Sequence, residues 1–154
     1  MSEKNINQEN TTQTVEKEDE IFNLAIQQYN SGEPYDKVIE TFESGLKSSI
    51  RDSSYYTCLS WLYILRGKSN DRKKAIDYAK NALRYDGMNA QAQYNLVLAY
   101  MLNGRKGVRE EFEKAISMSR DQDLESAKNN LKEAMSRNKS VPEYDKLLKW
   151  IEQA

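Results

Sequence analysis

Histidine is absent from this chain, and cysteine occurs once, as Cys58. Without an imidazole there is no ordinary general base, no usual catalytic triad and no common zinc ligand set. A single thiol cannot close a disulfide within the chain or build a multi-cysteine metal site. Two prolines and six glycines in 154 residues are too few for the many turns of an all-β protein. No apolar run approaches the roughly 20 residues that span a bilayer. The N-terminus lacks the basic-then-apolar order of a secretory signal. These absences predict a cytoplasmic protein with no transmembrane segment, no metal site and no cofactor.

Charge of one sign is also missing, since 23 basic and 24 acidic side chains leave a net −1. Leu, Ile, Val and Phe together supply only 30 residues. So lean an apolar content borders on disorder, but disorder also calls for high net charge. The composition therefore predicts a folded helical protein with a thin core. Residues 1–18 are polar around a lone Ile6 and Val15, and residues 1–20 carry a net −4. Nothing there buries enough surface to offset the entropy of ordering, so residues 1–18 are expected to be a disordered acidic arm.

Helical periodicity begins at Asp19. Phe22, Ala25, Ile26 and Tyr29 follow the i, i+3, i+4, i+7 spacing of one helix face. Gly32-Glu33-Pro34 breaks the chain, and Pro34 can open the next helix. Further stripes run through Val38, Ile39, Phe42 and Leu46, then Tyr56, Leu59, Ser60 and Tyr63, the latter ended by Gly67. A fourth carries Ala75, Ile76, Ala79, Ala82 and Leu83 up to Asp86-Gly87. The fifth has Tyr94, Leu96, Val97, Tyr100 and Met101, with Asn89 as N-cap and Gly104 beyond its end. Val108, Phe112, Ala115 and Ile116 make the sixth. Short breaks between helices predict antiparallel hairpins.

The hairpins repeat. Phe22, Ala25, Ile26, Tyr29, Val38, Phe42 and Gly45 align with Tyr56, Leu59, Ser60, Tyr63, Ala75, Ala79 and Ala82. A third copy gives Gln93, Leu96, Val97, Tyr100, Val108, Phe112 and Ala115. The first spacing is 34 residues, growing to 37 after a three-residue insertion in the inner turn. The run Tyr94-Asn95-Leu96-Val97-Leu98-Ala99-Tyr100 and the run from Ala75 to Leu83 carry the strongest signal. This pattern resembles the tetratricopeptide repeat (TPR) family, whose motif is about 34 residues long. The resemblance covers about residues 19–120. It departs from the family at Gln93, where an aromatic is usual, at Val97, where a small residue is usual, and in lacking the helix-end proline.

The resemblance implies an all-α, right-handed superhelical stack of three TPR-like helix pairs, at about 19–52, 53–89 and 90–121. Residues 122–154 would add two C-terminal capping helices, since an array needs its last face covered. One has an apolar face of Leu124, Ala127, Leu131, Ala134 and Met135. The other opens at Ser140-Val141-Pro142-Glu143, a capping-box signature, and carries Tyr144, Leu147, Leu148 and Ile151. This last helix, 141–153, either extends the stack or folds back into the groove. Trp150 is exposed or docked accordingly.

In a TPR-like stack the first helix of each pair lines the inner face. In this register the first pair offers Glu20, Asn23, Gln27 and Asn30, all polar. The second and third offer Trp61, Ile64, Tyr94, Leu98 and Met101, an apolar patch that soluble monomers seldom leave unused. Trp61, Ile64, Tyr94, Asn95, Leu98 and Met101 are therefore the expected partner-binding groove, with Asn95 offering a donor and an acceptor to a bound backbone. The expected function is a non-enzymatic protein–protein interaction module, a small adaptor or assembly factor holding a peptide or helix. The family's carboxylate clamp for chaperone tails needs Lys and Asn on the first helix and Lys and Arg on the first helix of the third pair, where this chain has Asn23, Gln27, Gln91 and Asn95 and so lacks the basic residues. That resemblance therefore does not extend to chaperone-tail binding.

A competing site is basic. Arg66, Lys68, Arg72, Lys73 and Lys74 crowd one inner turn, and Arg105, Lys106 and Arg109 the next. Stacked turns would make a ridge that attracts an anionic surface or nucleic acid. The pI near 5.7 argues against a dedicated nucleic-acid binder. Catalysis finds no support: Glu110, Glu111 and Glu113 read as a solvated helix face, and Cys58 falls mid-helix, where no helix N-terminus lowers its pKa.

Overall fold

The computed structural model describes residues 3–154, with side chains from residue 16 onward. The described residues are helical, with no strand among them. They fall into two compact units, residues 1–51 and residues 52–154.

The first unit holds α1 (Glu3–Asn30), α2 (Tyr35–Ser44) and a 3-10 turn at Gly45–Lys47. α1 starts at Glu3, not at Asp19, so the backbone of the expected arm is written into the helix. Propagating a nucleated helix takes only one residue's ordering per added hydrogen bond, and Glu, Gln and Lys make up half of residues 3–18, beside less favourable Asn and Thr. Side chains of residues 3–15, and all of residues 1–2, lie outside the described residues. The hairpin closes as the periodicity predicts. Ala25, Val38, Ile39 and Phe42 are buried, and Phe22 meets Phe42 edge-on at 5.9 Å. Thr41 Oγ1 donates to Gln28 Oε1 across the pair at 2.7 Å. Pro34 stands at the N-cap of α2.

The second unit is three hairpins: α3 (Ser53–Arg66) with α4 (Asp71–Tyr85), α5 (Ala90–Leu102) with α6 (Val108–Met118), and α7 (Asp121–Arg137) with α8 (Pro142–Glu152). Gly67 ends α3 at φ +66°, a left-handed conformation that favours glycine. Small residues bring α3 and α4 close. Ser60, Ala75, Ala79 and Ala82 are fully buried, and the Ser60 hydroxyl donates to the Ala75 carbonyl at 2.8 Å. A tyrosine ladder, Tyr85–Tyr56–Tyr78–Tyr63, stacks along the same hairpin with centroids 5.6–6.2 Å apart.

α5 is the hub. It packs on α3, α4, α6, α7 and α8. Only Gln91, Tyr100 and Met101 along it escape burial. Asn89 caps it as expected, accepting from the Ala92 N–H at 3.1 Å. The same amide donates to Ser53 Oγ (2.8 Å) and Thr57 Oγ1 (3.0 Å), stapling α5 to the start of α3. Gln93, where an aromatic is usual, is buried and donates to both the carbonyl and the carboxylate of Glu111, at 2.9 and 2.7 Å. A polar core residue is tolerated there because its donors are satisfied.

A second helix start also differs from expectation. Val141, not Ser140, is the N-cap of α8, and the Ser140 hydroxyl donates to Asn138 Oδ1 at 2.6 Å. The residue before a proline is held extended, so Pro142 at N1 assigns the cap to Val141.

Candidate functional site

The inner face of α5 is sealed within the second unit. Ala127 and Leu131 of α7, with Leu147 of α8, stand against Trp61, Tyr94 and Leu98, leaving about 10 Å³ between them. Ile64, Tyr94, Asn95 and Leu98, expected to line an open groove, are all buried. Asn95 is not free to orient a guest: its Nδ2 donates to the Thr57 carbonyl at 3.1 Å. The Tyr94 hydroxyl bonds Ser119 Oγ at 2.8 Å, and burial pushes its pKa up. Gln91 Nε2 donates to the Asp123 carbonyl at 3.1 Å, fastening the start of α7. Of the two courses open to the last helix, α8 takes the folded-back one, and α7 accompanies it. Trp61 remains half-buried at the edge of this seam.

Met101 has a different setting. One turn beyond Leu98, it lies where α7 and α8 no longer seal the face. With Val108 and Trp150 it floors an open cleft of about 510 Å³. Gly104, Arg105, Pro142, Glu143 and Lys146 complete the lining. Trp150 is docked: its ring meets Phe112 edge-on at 5.3 Å, with the Arg109 guanidinium 4.8 Å and the Lys146 ammonium 5.5 Å from its centroid. Trp150 and Lys146 are residues that the sequence leaves unassigned. The available signal was that Trp150 sits off the stripe of Tyr144, Leu147, Leu148 and Ile151.

The structure brings the two basic turns together. Arg72 Nη1 donates to the Leu102 carbonyl at 2.7 Å, tying the start of α4 to the end of α5. Several of these cations serve the fold. Arg66 grips Asp71 with two hydrogen bonds of 2.8 Å and lies over the Tyr63 ring, as does Lys74. Burial alone would raise the Asp71 carboxyl. The bonds from Arg66 and the Lys68 N–H, with the charges of Arg66 and Lys74, hold it below the ordinary range instead. Arg109 pairs with Glu113 at 3.9 Å. Lys73, Arg105 and Lys106 are exposed and form no ion pair among the described residues.

Burial, with Asp52 nearby, pushes the Cys58 thiol up to about 11, so at neutral pH it is protonated. Among the described residues no three His, Cys, Asp or Glu side chains converge as a metal site. No helix among them is long and apolar enough to cross a membrane.

No protein-family model matches this chain, and no curated protein matches it. Among solved structures, it is similar to the first TPR of Spaghetti (RPAP3) bound to the HSP90 peptide SRMEEVD. The TM-score is 0.51 at 15% identity, covering 90% of this chain and 94% of that one. The likeness shows a TPR-like fold, as the repeated stripes predict.

Proposed function

We propose that this chain is a non-enzymatic protein-interaction module, a small adaptor or assembly factor, that holds a segment of a partner protein in the cleft floored by Met101, Val108 and Trp150. One observation carries the reading: the α5 face is sealed along Tyr94–Leu98 but stays open at Met101, beside a tryptophan, in a cleft of about 510 Å³. That volume lies among ligand pockets of about 300–1,000 Å³. Buried aromatics anchor many interfaces. The TPR of similar fold is itself bound to a peptide, which supports the class of ligand. With Cys58 as its single cysteine the chain closes no disulfide of its own, which suits a reducing compartment such as the cytosol. A ridge-based reading, with an anionic surface on the turns, has less support, since Arg66, Arg72 and Arg109 are already engaged within the chain.

The test is site-specific photo-crosslinking in cells. A benzophenone amino acid replaces Met101 in one sample and the exposed Glu133 of α7 in another. Discrete protein adducts are expected from position 101, fading when Trp150→Ala is added. The same adducts from both positions, or none from position 101, would refute the assignment.

A further inference from the structure

Resting on that reading, the geometry points to the partner's chemistry: we infer that the cleft takes a short acidic segment bearing one large apolar side chain. Arg105 and Lys146 line the cleft, and Lys106 adjoins Arg105 in the same loop. None of the three has a carboxylate partner among the described residues. Against them stand two carboxylates in no ion pair among the described residues, Glu143 in the lining and Glu110 one turn past Lys106. The neighbouring charges cancel in pairs, Arg109 with Glu113 at 3.9 Å and Lys149 with Asp145 at 2.9 Å. The lining itself is thus left with two cations, Arg105 and Lys146, to one carboxylate, Glu143, around a floor of Met101, Val108 and Trp150.

These unpaired cations are a local departure from a chain whose net charge is −1. Elsewhere on α7 and α8, cations are largely neutralised one turn away, as in Arg137–Glu133 and Lys128–Glu125. Complementary charge at such a rim steers encounter and fixes register, while the floor supplies the hold. The guest therefore needs Asp or Glu on either side of a Leu, Ile, Phe or Trp. A nucleic acid strand is the poorer fit. It needs a longer run of cations, and Glu110, Glu113 and Glu143 border this short one.

The experiment displays random 12-residue peptides on phage and selects on the full chain, in parallel with an Arg105→Glu, Lys146→Glu variant. Both side chains are exposed and in no ion pair, and their contacts over the Tyr100 and Trp150 rings contribute little at such exposed sites, so helicity should be unchanged and the thermal midpoint only slightly lowered. The wild-type chain should enrich peptides with at least two acidic residues flanking one large apolar residue. The variant should bind a fluorescein-labelled selected peptide at least about tenfold more weakly. It should instead enrich peptides with Lys or Arg at those flanking positions. Enriched peptides with no acidic bias, lost on Met101→Asp, would overturn the charge inference while leaving the cleft as the binding site. Failure of the wild-type chain to enrich any peptide sensitive to Met101→Asp would overturn both.

Discussion

Leu147 is the side chain through which α8 reaches the inner face of α5, so truncating it tests whether that face is sealed. It is 1% exposed, as is Leu98 opposite, and the seam has only about 10 Å³ to spare. Removing a buried leucine side chain costs the transfer free energy of the lost carbons plus the cavity left behind, about 2–5 kcal/mol. The packing around Leu147 leaves little room for collapse, which sets the expectation for Leu147→Ala near the middle, about 3 kcal/mol. Urea denaturation followed by helical circular dichroism measures that loss. The loss alone does not separate docking on α5 from packing inside the α7–α8 hairpin. A double-mutant cycle with Leu98→Ala does. Side chains sharing one cavity couple, and about 1 kcal/mol of non-additivity is expected. A second readout comes from the half-buried Trp61, made the sole tryptophan by Trp150→Phe. Leu147→Asp, which cannot bury its charge there, should lift α8 and raise acrylamide quenching of Trp61. Additive costs for Leu98→Ala and Leu147→Ala, with Trp61 quenching unchanged in Leu147→Asp, would refute the seal.

Three further outcomes are expected. Asp71→Asn removes a buried partner of Arg66 and should cost about 2 kcal/mol at pH 7, less than a fully buried pair because Arg66 is partly exposed. The folded-state pKa of Asp71 is lowered, so its contribution is fully present above the unfolded value of about 3.9 and disappears as pH falls through the folded one. Urea midpoints of wild type and variant should therefore converge in acid as the pH falls through that lowered folded-state pKa, and a constant gap would contradict the ion pair. At Asn89, substitution by Ala loses both the cap and the staple to Ser53 and Thr57, about 2 kcal/mol, while Asp keeps the cap and should lose about half as much. No loss in the Asp variant, again by urea titration, would show that the staple contributes nothing, and equal losses in the two variants that the cap contributes nothing. Cys58, with its thiol raised to about 11, should react with a disulfide reagent at pH 8 at least about tenfold slower than free cysteine, the smaller thiolate fraction outweighing its higher nucleophilicity; comparable rates would mean that α3 opens readily.

The helices were legible because the signals that set them are local. The stripes through Phe22, Leu59 and Leu96 recur at the period of a helix, and Gly67 and Asn89 end or start helices through their own backbone and side-chain chemistry. Alignment of the stripes gave the hairpin pairing, because each small residue such as Ser60 or Ala79 faces a partner helix at close approach. Ser140 was misread because a proline two residues later decides the cap, and its effect outweighs the serine hydroxyl. The sealed face was not legible. Ala127, Leu131 and Leu147 announce apolar faces on their own helices, but which surface those faces meet depends on how the 138–141 link turns, a tertiary matter that no local pattern encodes.

The character of α5 makes the seal intelligible and assigns the open site. A helix with apolar side chains on nearly every side has almost no solvent-facing stripe and must be covered on most of its circumference. α3, α4 and α6 cover part, and the stripe Tyr94–Leu98 would remain bare without α7 and α8. At Met101 the requirement relaxes, because the helix is ending and Asn103 and Gly104 already face solvent. The same turn supplies Arg105, and Arg109 and Lys146 flank Trp150. The inner apolar stripe and the basic turns, two separate expectations from sequence, therefore meet at one place. Met101 is the last residue of the first, Arg105 belongs to the second, and Trp150 on the folded-back helix joins them. Folding α8 inward thus closes the broad groove and, in the same movement of chain, builds the smaller cleft at its end.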